Sequence, residues 1–480
     1  MGALKIPQTL KPRHAATRSA LKAMSIFGGV RALAILCSLI RNKLIAIWVG
    51  PVGVGLVILY NSIIDLVAQV TRLSIDQSAV RDISATTDPG QLPRTVSTVT
   101  WWTWALGIAG ALTMCLLSPL LSQWSFGTTD RWWTFCVLSA VPLCITVSGG
   151  IQAIMQGTRQ FGRMAKVGTL STLAGIAATV PLVYTLRRDS IVWIILAYGL
   201  AALVTALLVW RPGPRIKMPL QQIWQTGKSF IRLGALITAG LAVGQLFTYL
   251  FVLFLNSYAS TDTLGLYQAG YTLINTYAGI LFTGIWVEYF PRLSANSHSQ
   301  RRTAVTVAHQ TMLSIWVLTP VIAIFIAADS LIVQLLYSQK FTAILPYITI
   351  GIIGTLPRAI SWCLATVILA RGDGRCYVIT ETVSSAIFLA LHITFYSAWG
   401  FSGIGVAYLL WFTAYVAITA TVYSQRYHLT LPRHVWLAGA AALAFALVCL
   451  LAKSIAGWWL PLLLGLAVTP LSLKHLLGRK

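Results

Sequence analysis

The residues that could do chemistry stand out first in the second apolar stretch, where polar side chains recur at helical spacing. Asn61, Asp65, Gln69, Arg72 and Asp76 follow one another at intervals of 4, 4, 3 and 4 residues. In one continuous helix these spacings place all five on one face, as a polar stripe ~22 Å long. Charged groups inside a bilayer usually face a bundle interior or a watery cavity. The stripe favours a cavity lining; the alternative is a neutralised network that only holds helices together.

Arginines inside other apolar stretches repeat this pattern. Arg31 lies about nine residues from the start of the first stretch, and Arg41 lies beside the polar face of that stretch. Arg358 lies near the middle of the tenth stretch, directly after Pro357. A proline frees a backbone carbonyl and bends a helix. Arg358 is therefore the strongest single candidate for binding an anion.

Several other polar residues fit either a structural role or a functional role. Lys43 lies near the outer end of the first stretch, where its alkyl stem lets the ammonium group reach the membrane interface. Arg232 lies about one turn into the seventh stretch, where it can be interfacial. On the eighth stretch, Gln268, Tyr271 and Asn275 recur at helical spacing. That pattern fits either sugar recognition or ordinary hydrogen bonding between membrane helices.

Together these side chains suit a large, anionic and hydroxylated substrate. Arginine forms charge-assisted hydrogen bonds to phosphate oxygens, while amides, hydroxyls and aromatic faces recognise sugars. Acids on a cavity-facing helix are common coupling groups, so Asp65 and Asp76 are candidates for exchanging a proton or a sodium ion. Glu381 is a more peripheral candidate. We expect no cofactor, and an energy source in a Na⁺ or H⁺ gradient or the membrane potential.

The elements that must position these residues are membrane-spanning helices. The chain is 57% hydrophobic and 10% charged, with a mean hydropathy of +0.77, far from the composition of soluble domains. One crossing needs ~20 apolar residues. Runs of about this length predict fourteen spans, at residues 22–48, 51–80, 97–119, 132–155, 167–186, 190–210, 229–256, 264–288, 304–327, 344–370, 376–396, 401–423, 434–452 and 457–473.

The distribution of Lys and Arg predicts the orientation, because cytoplasmic loops retain these residues. With the N-terminus inside, 24 of the 35 basic residues lie in inner segments, six in outer segments and five within spans. Both termini are therefore expected in the cytoplasm. The net charge of +24 reflects this topology and attraction to anionic membrane lipids, and it does not indicate a nucleic-acid partner. The seven cysteines lack the spacing of a disulfide framework or a metal site.

A polar segment between the sixth and seventh spans predicts the division of the chain. We expect a cytoplasmic arm at 1–21, an N-terminal lobe at 22–218, a C-terminal lobe at 219–428 and an appendage of two helices at 429–480. A shift of 210 residues lays 54–65 on 264–275 and matches Gly55 to Gly265. Two parallel six-helix bundles related by an axis along the membrane normal form a central cavity, as in many secondary transporters.

Two segments resemble a known family. Residues 41–65, RNKLIAIWVGPVGVGLVILYNSIID, and residues 337–383, with KFTA and a later Thr-Glu pair, are similar to Wzx-type flippases of lipid-linked oligosaccharides such as O-antigen or lipid III units. The similarity covers roughly residues 22–424. These flippases belong to the multidrug/oligosaccharidyl-lipid/polysaccharide exporter superfamily. The resemblance implies an all-α polytopic protein whose two bundles are arranged as in the multidrug exporters called MATE.

The resemblance also implies a function. It implies alternating-access translocation of an undecaprenyl-pyrophosphate-linked glycan across the bacterial inner membrane, with a polysaccharide polymerase and a chain-length regulator as expected partners. Family basic positions match Lys43 and Arg358, whereas Asn61 stands where a family member has Arg, so the cavity chemistry differs there. Two alternatives are an ion-coupled multidrug antiporter of the same superfamily, which should have an acid-dominated cavity, and a membrane glycosyltransferase or polymerase, which needs larger outer loops.

Overall fold

A computed structural model describes most of the chain. The described residues are 33–34, 36–76, 79–80, 83, 90–158, 160–186, 190–210, 219–277, 289, 292–293 and 299–477, without the side chains of 186, 220, 225–237, 239–241, 276–277, 471 and 473–477. Within these ranges every regular element is helical. Nine helices there are long and apolar enough to cross a membrane, and two shorter ones are apolar.

The helices of the N-terminal half follow the apolar runs. Gly50 takes a left-handed φ of 82° and Pro51 begins the next helix, so a Gly-Pro turn lies between the first two predicted spans. Glycine tolerates that φ, and proline suits the first helical position. The helices are α1 (36–48), α2 (Pro51–Arg72), α3 (Leu92–Leu116), α4 (Trp132–Leu138 with Ala140–Gly157), α5 (Phe161–Leu186) and α6 (Ser190–Val209).

The C-terminal half continues the pattern with irregular turns inserted. One long helix, Gly374–Thr421, is interrupted at Gly400, whose φ of 58° and ψ of −133° are not helical. The helices are α7 (Leu220–Tyr258), α8 (Thr261–Tyr271), α9 (Gln300–Leu336), α10 (Thr355–Ala370), α11 (374–399), α12 (401–421), α13 (Arg433–Ala456) and α14 (Trp459–Leu477). Single π-helical turns, Thr272–Tyr277 and Val422–Arg426, extend α8 and α12.

The structure corrects the predicted polar stripe. Helix α2 ends at Arg72, because Leu73 and Ser74 adopt left-handed φ values of 49° and 45°. Such a conformation costs roughly 1–2 kcal/mol for a residue other than glycine, so neither residue signals a break. The prediction that one helical face carries all five polar residues is wrong for Asp76. Its Oδ2 nevertheless lies 3.9 Å from Nη1 of Arg72.

The chain divides into two compact units. The first comprises Met1–Arg41, Thr71–Cys115 and Cys136–Gly234, and the second comprises Asn42–Val70, Leu116–Phe135 and Ala235–Lys480. One core of the first unit joins α4, α5 and α6 through buried side chains that include Val147, Ile151, Met155, Val167 and Ala206. The larger core of the second unit joins α9, α10 and α13 through residues such as Leu318, Ile322, Leu356, Leu364 and Ala446.

A buried carboxylate ties α13 into that core. Asp329 of α9 is fully buried, and its Oδ2 accepts hydrogen bonds from Thr349 Oγ1, at 2.5 Å, and from Lys453 Nζ of α13. The backbone N–H of Ser330 donates to Oδ1 at 2.5 Å. The sequence places residue 329 beyond the ninth span, whereas α9 continues to Leu336. Helix α13 is thus bonded to the body of the second unit.

Helices α2 and α8 cross with their backbones in contact, inside the second unit. A Cβ on Gly55 would lie 2.1 Å from Thr261 O, and one on Gly265 would lie 1.8 Å from Pro51 O. Neither backbone oxygen can move aside as a side-chain tip can. Glycine is therefore required at both positions, which are the two that the internal repeat matches.

The α3–α4 hairpin (Leu116–Phe135) also packs within the second unit. It contains the short helix Ser118–Phe126 and turns at Gly127, whose φ is 72°. Phe126 and Phe135 enclose the ring of Tyr60 from α2, at centroid distances of 6.0 and 5.4 Å. Asn256 Nδ2 of α7 donates to Ser125 O at 2.6 Å. The hairpin is thereby bonded to α2 and α7.

Candidate functional site

Arg358 lies in the first turn of α10, after a broken stretch of helix. The segment before it runs through Gln339–Ile344, Leu345–Gly351 and Ile352–Gly354, of which the first and third are 3₁₀ turns. Pro357 lacks the N–H that would continue an α-helical ladder, and its ring clashes with the preceding turn. The change from the 3₁₀ turn Ile352–Gly354 to the α-helix comes at Thr355, two residues before Pro357. Arg358 is therefore the fourth residue of α10, and the predicted bend at Pro357 stays a prediction.

Neutral oxygens hold the Arg358 guanidinium. Nη1 donates to Asn275 Oδ1 at 2.9 Å and to Tyr408 OH at 3.2 Å. Tyr408 OH in turn donates to Asn275 Oδ1 at 3.1 Å, and the guanidinium carbon lies 5.6 Å from the centre of the Phe412 ring. Asn275 and Tyr408 present an amide oxygen and a phenol oxygen to Arg358, and both are uncharged. An anion that reached this group would therefore bind more strongly than either neutral partner.

The π-helical turn at the end of α8 sets the position of Asn275. In a π turn the hydrogen bonds widen locally, and such turns are frequent at functional sites. Gln268 lies one turn before the start of the π turn, where its Nε2 donates to Thr272 Oγ1 at 3.4 Å. Asn275 Nδ2 is buried and has no hydrogen-bond partner in the described part of the chain. An unsatisfied buried donor is costly, so a ligand oxygen placed there would be favoured.

A cavity of about 190 Å³ opens beside this cluster within the second unit. That volume is below the ~300–1,000 Å³ typical of small-molecule pockets, so it suits a hydrated ion or one small group. Its wall combines aromatic rings, hydroxyls, one carboxylate and one imidazole. The lining residues are Gly244, Thr248, Tyr267, Tyr271, Tyr347, Glu381, Ser385, Phe388, His392, Tyr408 and Trp411.

Two ionisable side chains face this cavity from α11. Glu381 Oε1 accepts a hydrogen bond from Tyr415 OH of α12. About three turns further along, His392 Nδ1 lies 2.8 Å from Phe388 O. That contact fixes the proton of a neutral imidazole on Nδ1 and leaves Nε2 as an acceptor. The cavity thus offers a carboxylate and an imidazole nitrogen to a cation or a proton.

The structure brings some of the predicted site residues together and separates others. Tyr271 and Glu381 line the cavity, and Asn275 and Arg358 lie beside it through Tyr408. Lys43 instead donates to Leu335 O at 2.7 Å, in the last turn of α9. A cation is favourable at that end of a helix, and any contact of Lys43 with a substrate stays a prediction.

The remaining candidates lie along α1, α2 and α7. Arg41 lies 4.9 Å from the centre of the Tyr198 ring in the first unit. On α2, Asn61 is half-buried and Asp65 is exposed. Arg31 lies outside the described residues, and Arg232 lies in α7 with its side chain outside them.

Sequence reasoning missed the contribution of α12. Tyr408, Trp411, Phe412 and Tyr415 recur at intervals of 3, 1 and 3 residues, which is helical spacing. They bind Arg358, Ser384 and Glu381 or pack on them. An aromatic stripe of this kind usually indicates lipid contact or core packing. Its one distinguishing signal is that two of the four residues are tyrosines, whose hydroxyls need partners when buried.

Comparison with known proteins places the chain in a family. Residues 44–346 match the family model described as "Polysaccharide biosynthesis protein". The chain belongs to this polysaccharide biosynthesis family. The Lipid III flippases of Escherichia coli (strain K12) and Shigella flexneri are each 22% identical to this family member over 395 residues, which cover 80% of it and 93% of each relative.

Solved structures define the fold of this family member. The Lipid II flippase MurJ, in an inward closed conformation, superposes with a TM-score of 0.71 at 13% identity and covers 95% of this chain and 98% of its own. An inward-facing multidrug resistance MATE family transporter gives 0.67 at 14% identity, over 86% and 96%. The predicted all-α, MATE-like polytopic fold of the exporter superfamily is confirmed. This polysaccharide biosynthesis protein is a multi-pass membrane protein.

Proposed function

We propose that the protein is a flippase that moves an undecaprenyl-pyrophosphate-linked oligosaccharide from the cytoplasmic to the periplasmic leaflet of the inner membrane by alternating access. The observation that carries the proposal is Arg358, a cation in a membrane-spanning helix that donates to the neutral oxygens of Asn275 and Tyr408, beside the buried, unsatisfied amide donor of Asn275. Family membership and the relatedness to Lipid III flippases support it.

The chemistry of the Arg358 cluster fits one part of such a substrate. Arg358 now donates hydrogen bonds to Asn275 and Tyr408. A phosphate oxygen would accept these charge-assisted bonds from Arg358 in their place. The buried Nδ2 of Asn275 would gain an acceptor at the same time. Tyrosine and tryptophan faces nearby suit sugar rings. The polyprenyl tail is apolar and would stay in the lipid while the polar head crosses.

A deletion strain tests the function directly. Removing the gene should make a polyprenyl-pyrophosphate glycan accumulate on the cytoplasmic face, and mass spectrometry of the extracted lipid should identify its sugars. Wild-type protein should clear this lipid, Arg358→Lys should clear part of it, and Arg358→Ala should clear none. Arg301→Ala, which removes an exposed arginine at the start of α9, serves as the matched control. No accumulation on deletion would contradict the proposal.

Glu381 is the coupling group that the cavity favours. It is a carboxylate in the cavity wall, hydrogen-bonded to Tyr415 and on the same wall as Tyr408, which binds Arg358. Protonation or sodium binding there would change the charge next to the anion site. Glu381→Gln should therefore abolish the dependence of transport on the ion gradient. Asp65→Asn and Asp76→Asn test the other two coupling candidates in the same assay.

The orientation and partners belong to the same proposal. Both termini would lie in the cytoplasm, as the Lys and Arg distribution predicts. The flipped unit would pass to a polysaccharide polymerase and a chain-length regulator. If the protein were instead a multidrug antiporter, its deletion would raise drug sensitivity and leave lipid-linked glycans unchanged.

A further inference from the structure

Two thiols at one end of the first unit lie in contact. Cys115 Sγ, in the last turn of α3, is 3.6 Å from Cys136 Sγ in the first segment of α4, and Cys136 Sγ is 4.0 Å from Cys115 O. The side chains face each other although they are 21 positions apart in the chain. A disulfide bond is ~2.05 Å long. Side-chain rotation with an approach of about 1.5 Å would close the pair.

Both thiols lie on the side predicted to face the periplasm. Trp132 and Trp133, about one turn before Cys136, are 50% and 43% exposed, as expected for residues at a membrane interface. Cys115 is exposed and Cys136 is half-buried, so neither thiol is enclosed in the protein core. Disulfides form and persist in the periplasm and are rare in the cytosol.

Each cysteine lies next to a helix break. Helix α3 ends at Leu116, and the short helix of the hairpin begins at Ser118. Helix α4 is interrupted at Ser139, whose Oγ donates to Cys136 O at 2.7 Å. Leu117 and Ser139 keep right-handed helical φ and ψ, so each interruption is a single turn residue. A bond between the sulfurs would join the two ends of the hairpin segment.

The segment between the cysteines is the α3–α4 hairpin, which packs on α2 and α7. Its aromatic rings enclose Tyr60, Tyr60 OH lies 3.4 Å from Thr134 Oγ1, and Ser125 O accepts from Asn256. A cross-link at the base would shorten the free chain of this hairpin. It would therefore favour the packed position of the hairpin by restricting the alternatives.

We propose that Cys115 and Cys136 are oxidised in the periplasm to a disulfide that staples the base of the α3–α4 hairpin. The oxidant is a periplasmic protein disulfide. One cysteine thiolate attacks this disulfide and releases a thiolate of the oxidant; the second cysteine thiolate then attacks the mixed disulfide and releases the other. The two cysteines lose two protons and two electrons, and the oxidant becomes a dithiol. The staple is independent of the transported substrate.

Thiol counting in intact cells tests the staple. Cells are quenched with acid, the protein is denatured, and free thiols are tagged with maleimide-polyethylene glycol before or after reduction. Of the seven cysteines, wild type should show five tagged before reduction and seven after. Cys115→Ser and Cys136→Ser should each show six in both samples. Cys449→Ser, which removes a buried cysteine of α13, should show four and six.

Hydrogen exchange tests the mechanical consequence. Reduction of purified wild type should speed amide exchange in residues 116–135 at least twofold, and reduction of Cys115→Ser should change nothing. Seven tagged thiols in unreduced wild type would overturn the disulfide, even if an added oxidant closes it in vitro. Unchanged exchange on reduction would overturn the staple. Neither measurement involves glycan transport, so its failure leaves the proposed flippase function untouched.

Discussion

Arg358 donates hydrogen bonds to two uncharged groups that position its guanidinium. Asn275 and Tyr408 come from two different helices and also bond to each other, so the three side chains form a closed triangle of hydrogen bonds. A carboxylate in place of either partner would compete with an anionic ligand for the same charge. Uncharged partners such as Asn275 and Tyr408 fix the direction of the side chain and do not compete as anions with the ligand.

Tyr408→Phe should weaken substrate handling while leaving the fold intact. It removes one acceptor from Arg358 and the hydroxyl that orients Asn275. A hydrogen bond to a charged group contributes about 1.5–3 kcal/mol, and about 1.4 kcal/mol is a factor of ten. We expect clearance of the accumulated lipid-linked glycan to slow about tenfold, mainly through a higher apparent KM.

Tyr423→Phe is the matched control for that loss. The hydroxyl of Tyr423 is buried and has no hydrogen-bond partner in the described part of the chain, so its removal should leave transport unchanged. Equal losses in both variants would show that Tyr408 acts only by packing. Normal transport by Tyr408→Phe would remove it from the positioning of Arg358.

At the residue scale, a charge in an apolar run is visible in the sequence, whereas its distant contact partners are not. The sequence singles out Arg358, Asn275 and Tyr271 as candidates because polar groups inside spans are rare. Tyr408 is 50 positions from Arg358, and only the fold brings them together. Its helix reads as an aromatic stripe, which has the same sequence signature as a lipid-facing surface.

At the scale of elements, one ion pair bonds α13 to α9, in addition to the apolar core that they share. Asp329 is fully buried, and Lys453 supplies the opposite charge from α13 with 26% of its side chain exposed. Removing one partner of a buried pair costs more than the pair itself contributes, because the other charge stays buried without compensation. The sequence hides this contact, since neither residue repeats at helical spacing with another charge.

Lys453→Met should destabilise the protein by about 3 kcal/mol, measured as the free energy of unfolding in mixed micelles. The double variant with Asp329→Leu should recover part of that loss, because it buries no unpaired charge. Arg426→Met is the comparison, since Arg426 is paired with Asp373 but 56% exposed. An exposed pair contributes roughly 0–1 kcal/mol. A smaller loss for Lys453→Met than for Arg426→Met would contradict the role of the buried pair.

Asp373 caps α11 on the predicted cytoplasmic side and should make a contribution to the stability of the protein that is lost in acid. Burial alone would raise the pKa of its carboxyl, but hydrogen bonds from Arg426, the Cys376 N–H and Tyr427 outweigh burial and lower the pKa. An unperturbed Asp has a pKa of about 3.9, so the unfolded chain binds this proton at higher pH than the folded one. The stabilisation is complete above about pH 4 and is lost as pH falls through the folded pKa.

The variant Asp373→Asn measures that contribution to stability. The asparagine carries no charge at any pH and still accepts the bond from Cys376 N–H, which is 3.2 Å long in the native protein. We expect the variant to unfold more easily than wild type at pH 6 and the difference to shrink towards pH 3. Unfolding midpoints measured across this range check the sign. A difference that grows on acidification would contradict the lowered pKa.

At the scale of the whole molecule, the sequence predicted the class of fold well and its interruptions poorly. The length of an apolar run and a Gly-Pro pair are local signals. The sequence therefore predicts the spans and the boundary between α1 and α2. The break at Leu73 and Ser74 arises from left-handed backbone at residues that rarely adopt it. Neither that break nor the π turn at Asn275 has a local sequence signal.

The repeat-matched glycines provide the sharpest test of the fold as a whole. Gly265→Ala would place a methyl group 1.8 Å from Pro51 O, so α2 and α8 would have to separate along their crossing. We expect at least a fivefold loss of glycan clearance and a lower unfolding midpoint, with a similar effect for Gly55→Ala. Gly149→Ala, in α4, is the matched control, because nothing lies within 4 Å of its added methyl group. Alanine favours a helix by up to about 1 kcal/mol, so that variant should be neutral or slightly more stable. Wild-type clearance by Gly265→Ala would show that transport does not require the close crossing of α2 and α8.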